Sequence, residues 1–111
     1  MDCLFCKIVV GDIPADVVAE TERTVAFRDI APQAPTHVLV VPREHHADAA
    51  SCVAADPGLM VEVLAAAVEV ARSERLEGGY RLLTNTGGDA GQTVHHLHVH
   101  VLGGRALGAL G

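Results

Sequence analysis

The chain is poor in aromatic side chains, which make up only 3% of its 111 residues and include no Trp. Half of the residues are hydrophobic, but 17 are alanine and 16 are valine, so most core side chains bury only a modest area. A chain of this length forms one domain and buries about two-thirds of the surface that it exposes when unfolded. We therefore expect a single domain over residues 1–111, with a weakly specified tail at 106–111 and a partner subunit that adds burial.

Positive charge, long apolar runs and paired cysteines are also scarce. Eight Lys and Arg face 14 Asp and Glu, a net charge of −6, which excludes binding to a nucleic-acid polymer but not to a single phosphate. The longest apolar stretch, residues 59–71, is interrupted by Glu62 and Glu69, whereas a membrane span needs roughly 18 apolar residues. With no export signal and an odd number of cysteines, we predict a cytoplasmic protein with no membrane partner.

Apolar spacing and turn-forming residues predict an α+β protein. We expect a short helix at 2–9 and strands at 17–20, 24–29, 37–41, 80–84 and 94–102. A long helix should begin after Asp56, with Pro57 in its first turn, and end at Gly78. Because strands outnumber helices and the connections are short, an antiparallel sheet is favoured.

Histidine, in contrast, is abundant, and four of the seven histidines lie between residues 95 and 100. In a strand, His96, His98 and His100 share one face while the apolar residues between them take the other. His96 and His100 would lie about 13 Å apart, too far to bind one ion together. A row of imidazoles therefore suits nucleophilic attack and proton transfer better than a three-histidine metal site.

The loop before the histidines, residues 87–93, contains three glycines. Glycines allow backbone N–H groups to turn inward and bind an anion, and Gln92 and Thr93 add side-chain donors. Next to a row of histidines, such a loop predicts a phosphate site beside a nucleophile.

The segment Gln92-Thr93-Val94-His95-His96-Leu97-His98-Val99-His100-Val101-Leu102 resembles the signature of the histidine triad superfamily. The resemblance also covers Phe27-Arg28-Asp29-Ile30 and the prolines before His37, and it is strongest to the nucleoside-phosphoramidate hydrolases. It implies a HIT-like α+β fold with a five-stranded antiparallel sheet, one long helix and one short helix, paired across a homodimer.

The resemblance also implies roles for individual residues. His98 matches the nucleophile that forms a nucleotidyl-histidine intermediate, and His100 matches the residue that contacts the phosphate and helps to protonate the leaving group. His37 and His96 match histidines that orient the nucleophile or relay protons. The residues expected to bind the nucleotide are Asn85, Gly91, Gln92 and Thr93 at the phosphate, Asp29 at the ribose, and Phe5, Phe27 and Ile30 at the base. A core role remains open for both phenylalanines.

Cys3 and Cys6 form a C-x-x-C motif, which is typical of metal or redox sites. In similar bacterial histidine triad proteins two such cysteines hold a structural zinc with two histidines, and the matching residues here are His45 and His96. A zinc-bound His96 could not relay protons, and the alternative is a pair of buried thiols. No organic cofactor is expected. His46 and His95 should face solvent, and Cys52 should serve in packing.

These features together predict an enzyme that cleaves purine nucleoside 5′-phosphoramidates. The alternatives are a diadenosine polyphosphate hydrolase, which would use the same nucleophile on a P–O bond, and a non-catalytic dimer that binds nucleotides or partners. The tail lacks the Trp and Pro that often follow in the phosphoramidate hydrolases, which leaves specificity for the leaving group open.

Overall fold

A computed structural model describes residues 3–109, so the predicted helix start at residue 2 and the tail positions 110 and 111 lie outside the described residues. The helices are α1 (Leu4–Val9), α2 (Ala49–Ala55) and α3 (Pro57–Ser73). The strands are β1 (Val17–Glu20), β2 (Thr24–Arg28), β3 (Thr36–Pro42), β4 (Tyr80–Leu83) and β5 (Val99–Gly103). A 3-10 turn at Gly88–Ala90 lies between β4 and β5.

The five strands form one antiparallel sheet in the order β1-β2-β3-β5-β4, which confirms the predicted α+β fold. The prediction of one short helix was incomplete, because α2 is a second one. Asp48 caps α2 through a reciprocal pair of hydrogen bonds with Ser51. Among the described residues, no helix is long and apolar enough to cross a membrane.

The two faces of the sheet are covered by different helices. On one face, small residues such as Val38, Val40 and Val101 pack against α3. On the other face, Phe27 and Leu39 pack with Phe5 of α1. Leu39 lies opposite His100 in the β3–β5 ladder, so His100 belongs to the α1 face. The alternation predicted for the histidine segment is thus confirmed, because Leu97, Val99 and Val101 all pack in the α3 core.

Two element boundaries differ from the prediction by more than two residues. The long helix ends at Ser73 rather than at Gly78, because Arg75 adopts a left-handed conformation with φ +59° and Glu74 turns to pair with Arg28 at 2.7 Å. The last strand begins at Val99 rather than at residue 94. The preceding segment leaves the ladder because Leu97 donates its N–H to the carbonyl of His46 at 2.7 Å.

Candidate active site and metal centre

An apolar cavity of about 340 Å³ opens on the α1 side of the sheet. Phe5 from α1 and Phe27 from β2 line it, with ring centroids 5.4 Å apart in an edge-to-face arrangement. Asp29 and the fully exposed Ile30 lie at its rim, just after β2. The structure thus brings together the residues predicted to bind the base and ribose. Both phenylalanines are also buried in the core, so a core role and a position in the wall of the cavity are compatible for these residues.

His98 lies beside this cavity, with its ring 5.0 Å from the ring of Phe5 and 5.0 Å from that of His100. Its Nδ1 atom is 2.8 Å from the backbone carbonyl of His96. A carbonyl oxygen only accepts, so Nδ1 carries the proton of the neutral ring and Nε2 carries the lone pair. The backbone therefore fixes the tautomer that a nucleophilic histidine needs.

His37 and His100 form a second hydrogen-bonded pair, with 2.9 Å between Nε2 of His37 and Nδ1 of His100. The backbone N–H of Gln33 donates to Nδ1 of His37 at 3.0 Å, and the Asp29 carboxylate lies 3.5 Å from Nε2. Burial lowers the pKa of His37, although Asp29 opposes the shift. Burial, followed by the neighbouring His98 and His37, lowers the pKa of His100 to about 4. Both rings are therefore neutral at pH 7.

The glycine loop is arranged differently from the expected anion site. Gln92 is buried, and its side-chain nitrogen donates to the carbonyls of Ala47 and Val94 at 2.7 and 3.1 Å while its oxygen accepts from the N–H of Gly87. Both amide hydrogens are thus in use, and Gln92 holds the loop in shape rather than offering a side-chain donor to a phosphate.

Other groups of the loop are also engaged or exposed. The N–H groups of Ala90, Gly91 and Gln92 are donated to carbonyls within the loop, so the predicted inward-facing nest is not formed by these three groups. Gly91 adopts φ +92°, a left-handed conformation that suits glycine. Thr93 is exposed, and Asn85 is half-buried at the end of β4.

Cys3, Cys6, His45 and His96 converge on one point, with their ligand atoms all within 4.8 Å of one another. Nδ1 of His96 lies 3.3 Å from Sγ of Cys3 and 3.4 Å from Sγ of Cys6. Nδ1 of His45 lies 3.2 Å from the same His96 atom and 3.4 Å from Sγ of Cys6. Ligands about 2.0–2.3 Å from a tetrahedral zinc ion are separated by roughly 3.3–3.8 Å, so the four atoms closely match a zinc site.

The protonation of these groups also suits a cation. Nε2 of His96 donates to the carbonyl of Pro42 at 2.8 Å, which leaves the lone pair on Nδ1, toward the other three ligands. Burial lowers the pKa of His96 and favours its neutral form. Burial and then the Cys3 thiol raise the pKa of Cys6 to about 11, as expected for two thiols close together. A divalent cation would reverse that shift, since metal-bound thiols are deprotonated.

The remaining predictions for histidine and cysteine were partly right. His95 is exposed and Cys52 is buried in the α3 core, as predicted. His46 was wrongly expected to face solvent, because its side chain is only 9% exposed next to the segment before β5. Three backbone groups at the site were not predicted from the sequence, namely the N–H of Gln33 and the carbonyls of Pro42 and His96. No side-chain signal identifies such groups.

Comparisons with known proteins agree with this arrangement. The HIT domain family matches residues 10–107. A HIT-like protein of Synechococcus elongatus is 46% identical over 106 residues, which cover 96% of this chain and 93% of the relative. A HIT family hydrolase from Clostridium thermocellum has a TM-score of 0.93 and 43% identity, with 98% of this chain and 96% of the other covered. A HIT family hydrolase from Legionella pneumophila has a TM-score of 0.90 and 48% identity, with 95% of both chains covered. The chain described here therefore belongs to the HIT domain family.

Proposed function

We propose that this protein is a nucleotide hydrolase that cleaves purine nucleoside 5′-phosphoramidates, with Nε2 of His98 as the nucleophile. The observation that carries the proposal is the hydrogen bond from Nδ1 of His98 to the carbonyl of His96, because it leaves the Nε2 lone pair available beside the cavity. Similarity to HIT family hydrolases from two bacteria supports the same reaction class.

The proposed reaction has two steps. Nε2 of His98 attacks the α-phosphorus and forms a bond from nitrogen to phosphorus, while the P–N bond to the leaving amine breaks and the amine takes up one proton from solvent. Water then attacks the phosphorus, releases one proton and frees His98 as a neutral imidazole. Splitting hydrolysis through a covalent intermediate replaces one difficult step with two easier ones.

Neighbouring side chains support these steps. In its proposed state His100 carries a proton on Nε2, since its Nδ1 faces the N–H of His37, and it donates a hydrogen bond to the reacting phosphoryl group. Because its pKa is about 4, His100 is neutral at pH 7 and donates this hydrogen bond as an imidazole rather than as an imidazolium ion. Phe5 and Phe27 hold the base, and the Asp29 carboxylate accepts from the ribose hydroxyls.

We also propose that Cys3, Cys6, His45 and His96 hold one structural zinc ion. Four protein ligands complete a tetrahedral site and leave no position for substrate, so the ion would stabilise the fold rather than take part in the reaction. Cys3 is the N-cap of α1 and Cys6 lies within it, so zinc would fix this helix, and with it Phe5, against the segment before β5.

The expected partner is a second copy of this chain. β4 is an edge strand of the sheet, and edge strands present unpaired backbone groups. The apolar side chains of Val61, Leu64 and Val68 on α3 are 41–66% exposed, and Tyr80 at the start of β4 is 41% exposed. We propose that a homodimer covers this surface, and light scattering should then give twice the mass of the chain.

The function is tested by hydrolysis of adenosine 5′-phosphoramidate by the wild type and two histidine variants. His98→Ala should lower kcat/KM at least about 1,000-fold, because the nucleophile is lost. His95→Ala is the matched control, since His95 is exposed, and it should retain full activity. Acid quenching of the wild type should trap a protein that carries one nucleotidyl group.

A parallel assay with diadenosine tetraphosphate separates the possible substrates. A higher kcat/KM for the phosphoramidate supports the proposed P–N bond cleavage, and a higher value for the polyphosphate would replace it with P–O bond cleavage. If the wild type binds nucleotide but hydrolyses neither compound, the protein is a binding dimer and the enzymatic proposal fails.

A further inference from the structure

The chain leaves β5 next to the loop that precedes β3, residues 30–35, and contacts it at two points. Arg105 donates from Nη2 to the backbone carbonyl of Gln33 at 2.8 Å. Gly104, with φ +95°, lies so close to Pro35 that an added Cβ atom would be 2.9 Å from the Cβ atom of that proline. Arg105 is exposed and does not line the cavity beside His98, so the proposed reaction gives it no role.

The loop that Arg105 contacts also donates a hydrogen bond to a histidine of the active site. The backbone N–H of Gln33 donates to Nδ1 of His37 at 3.0 Å. Because an N–H group cannot accept, Nδ1 of His37 has no proton of its own, and the proton of the neutral ring lies on Nε2. That proton is donated to Nδ1 of His100 at 2.9 Å, so the proton of His100 must lie on its own Nε2.

Without the Gln33 N–H, the opposite arrangement becomes available. His37 could then carry its proton on Nδ1 and accept on Nε2 from Nδ1–H of His100. In that state Nε2 of His100 would have a lone pair and could not donate to a phosphoryl oxygen. The Asp29 carboxylate, 3.5 Å from Nε2 of His37, favours a proton at that atom but is farther away than the partners in the hydrogen bonds described above.

We propose that Arg105 is a positioning residue that acts through Gln33 and His37 to keep His100 in its donor tautomer. The proposal rests on the proposed function for its catalytic consequence, whereas the tautomers themselves can be measured without substrate. Arg105 fixes the carbonyl of Gln33, which belongs to the peptide group that follows this residue, and so restrains the adjoining peptide group whose N–H donates to His37.

The test combines NMR with kinetics on the intact protein. Long-range ¹H–¹⁵N spectra of the nucleotide-free protein report which nitrogen of each histidine carries the proton. In the wild type, we expect His37 and His100 both to be protonated on Nε2. In Arg105→Met, most of both rings should change to the Nδ1–H form. The value of kcat should fall about 10-fold with little change in KM, which is less than the roughly 100- to 1,000-fold loss expected when a transition-state donor is removed completely.

Two further variants distinguish positioning from general damage. Arg81→Met removes a guanidinium that donates to the tail carbonyl of Gly108 at 2.8 Å, and it should leave tautomers and kcat unchanged. Arg105→Lys keeps a cationic donor and should restore part of both signals.

Wild-type tautomers in Arg105→Met would overturn the proposal, whatever the activity. If the wild type shows no hydrolysis, the proposed function fails but the spectra still decide the role of Arg105. If Arg105→Met is poorly folded, Arg105→Lys provides the test, and it should show tautomer populations between those of the two forms. Wild-type spectra together with full kcat in a well-folded Arg105→Lys would then contradict the proposal.

Discussion

Two groups of side chains in this protein could each bind a metal ion, because the ligand atoms of each group lie within 4.8 Å of one another. The first group is Cys3, Cys6, His45 and His96, and the second is Asp29, His37 and His100. They differ in the backbone groups that surround them. In the first group, the carbonyl of Pro42 accepts the Nε2–H of His96, which leaves the Nδ1 lone pair directed toward the other ligands. In the second group, the N–H of Gln33 donates to Nδ1 of His37, and the Nε2–H of His37 donates to Nδ1 of His100.

The difference shows that ligand type and proximity do not define a metal site. A metal site needs converging lone pairs, which an acceptor behind a histidine creates. A donor behind a histidine instead produces a chain of alternating donors and acceptors that is complete without an ion. We name the first group the cysteine cluster and the second the relay cluster, and we expect one zinc ion per chain, in the cysteine cluster.

The largest effect should follow loss of a ligand from the cysteine cluster. His45→Ala should lower the free energy of unfolding of the zinc-loaded protein by about 3 kcal/mol, because metal binding is coupled to folding. For a chain of this size, that corresponds to a Tm about 10 °C lower. The matched control is His95→Ala, the same substitution at another exposed histidine, which should stay within about 0.5 kcal/mol of the wild type.

Thermal melting with and without a chelator, together with metal analysis, checks this prediction. In chelator the two variants and the wild type should melt at similar temperatures. Loss of zinc from His37→Gln, or retention of a full equivalent of zinc in His45→Ala, would contradict the prediction that the cysteine cluster binds the ion.

A somewhat smaller effect is expected from acid on the relay cluster. The pKa of His100 in the folded protein is about 4, against an ordinary value of 6.5, so the unfolded chain binds more protons between these pH values. Stability from this residue is therefore fully present above pH 6.5 and is lost as the pH falls toward 4. At one pKa unit per 1.36 kcal/mol, the loss at pH 5 is about 2 kcal/mol.

Urea unfolding of the wild type and His100→Gln, both in chelator, isolates this contribution. The difference between the pH 7 and pH 5 free energies of unfolding should be about 2 kcal/mol larger for the wild type. Equal differences in the two proteins would mean that His100 is not held neutral by its surroundings.

Much of this architecture could be predicted from the sequence, because it depends on side-chain periodicity. The alternation of His98 and His100 with Val99 and Val101 follows from the two-residue period of a strand. The four residues of the cysteine cluster were expected from the resemblance to bacterial histidine triad proteins, and the structure brings them together. The strand at Val17–Glu20 was predicted with its observed bounds.

Two of the errors arise where a backbone group forms a hydrogen bond with a residue elsewhere in the chain. The last strand starts late because the N–H of Leu97 bonds to the carbonyl of His46 instead of to a neighbouring strand. The role of Gln92 differs from the prediction because its amide is used by Ala47, Val94 and Gly87. Any residue can supply a backbone donor or acceptor, so these contacts have no sequence pattern and become visible only in the fold.

The smallest effect in the comparison should come from the carboxylate of the relay cluster. Asp29 accepts the N–H of Ala31 at 2.8 Å with one oxygen and faces His37 with the other, which leaves lone pairs for ribose hydroxyls. Asp29→Asn removes the charge but keeps the size, so adenosine monophosphate should bind about 10-fold more weakly, as for loss of one charge-assisted hydrogen bond. Asp16→Asn is the control, since its carboxylate is 74% exposed and lies 3.7 Å from Arg28. Calorimetric titration should show the weaker binding only in Asp29→Asn, with one zinc per chain in both variants. Asp29 belongs to the relay cluster and not to the cysteine cluster, so a change in zinc content in Asp29→Asn would show that the two clusters are not independent.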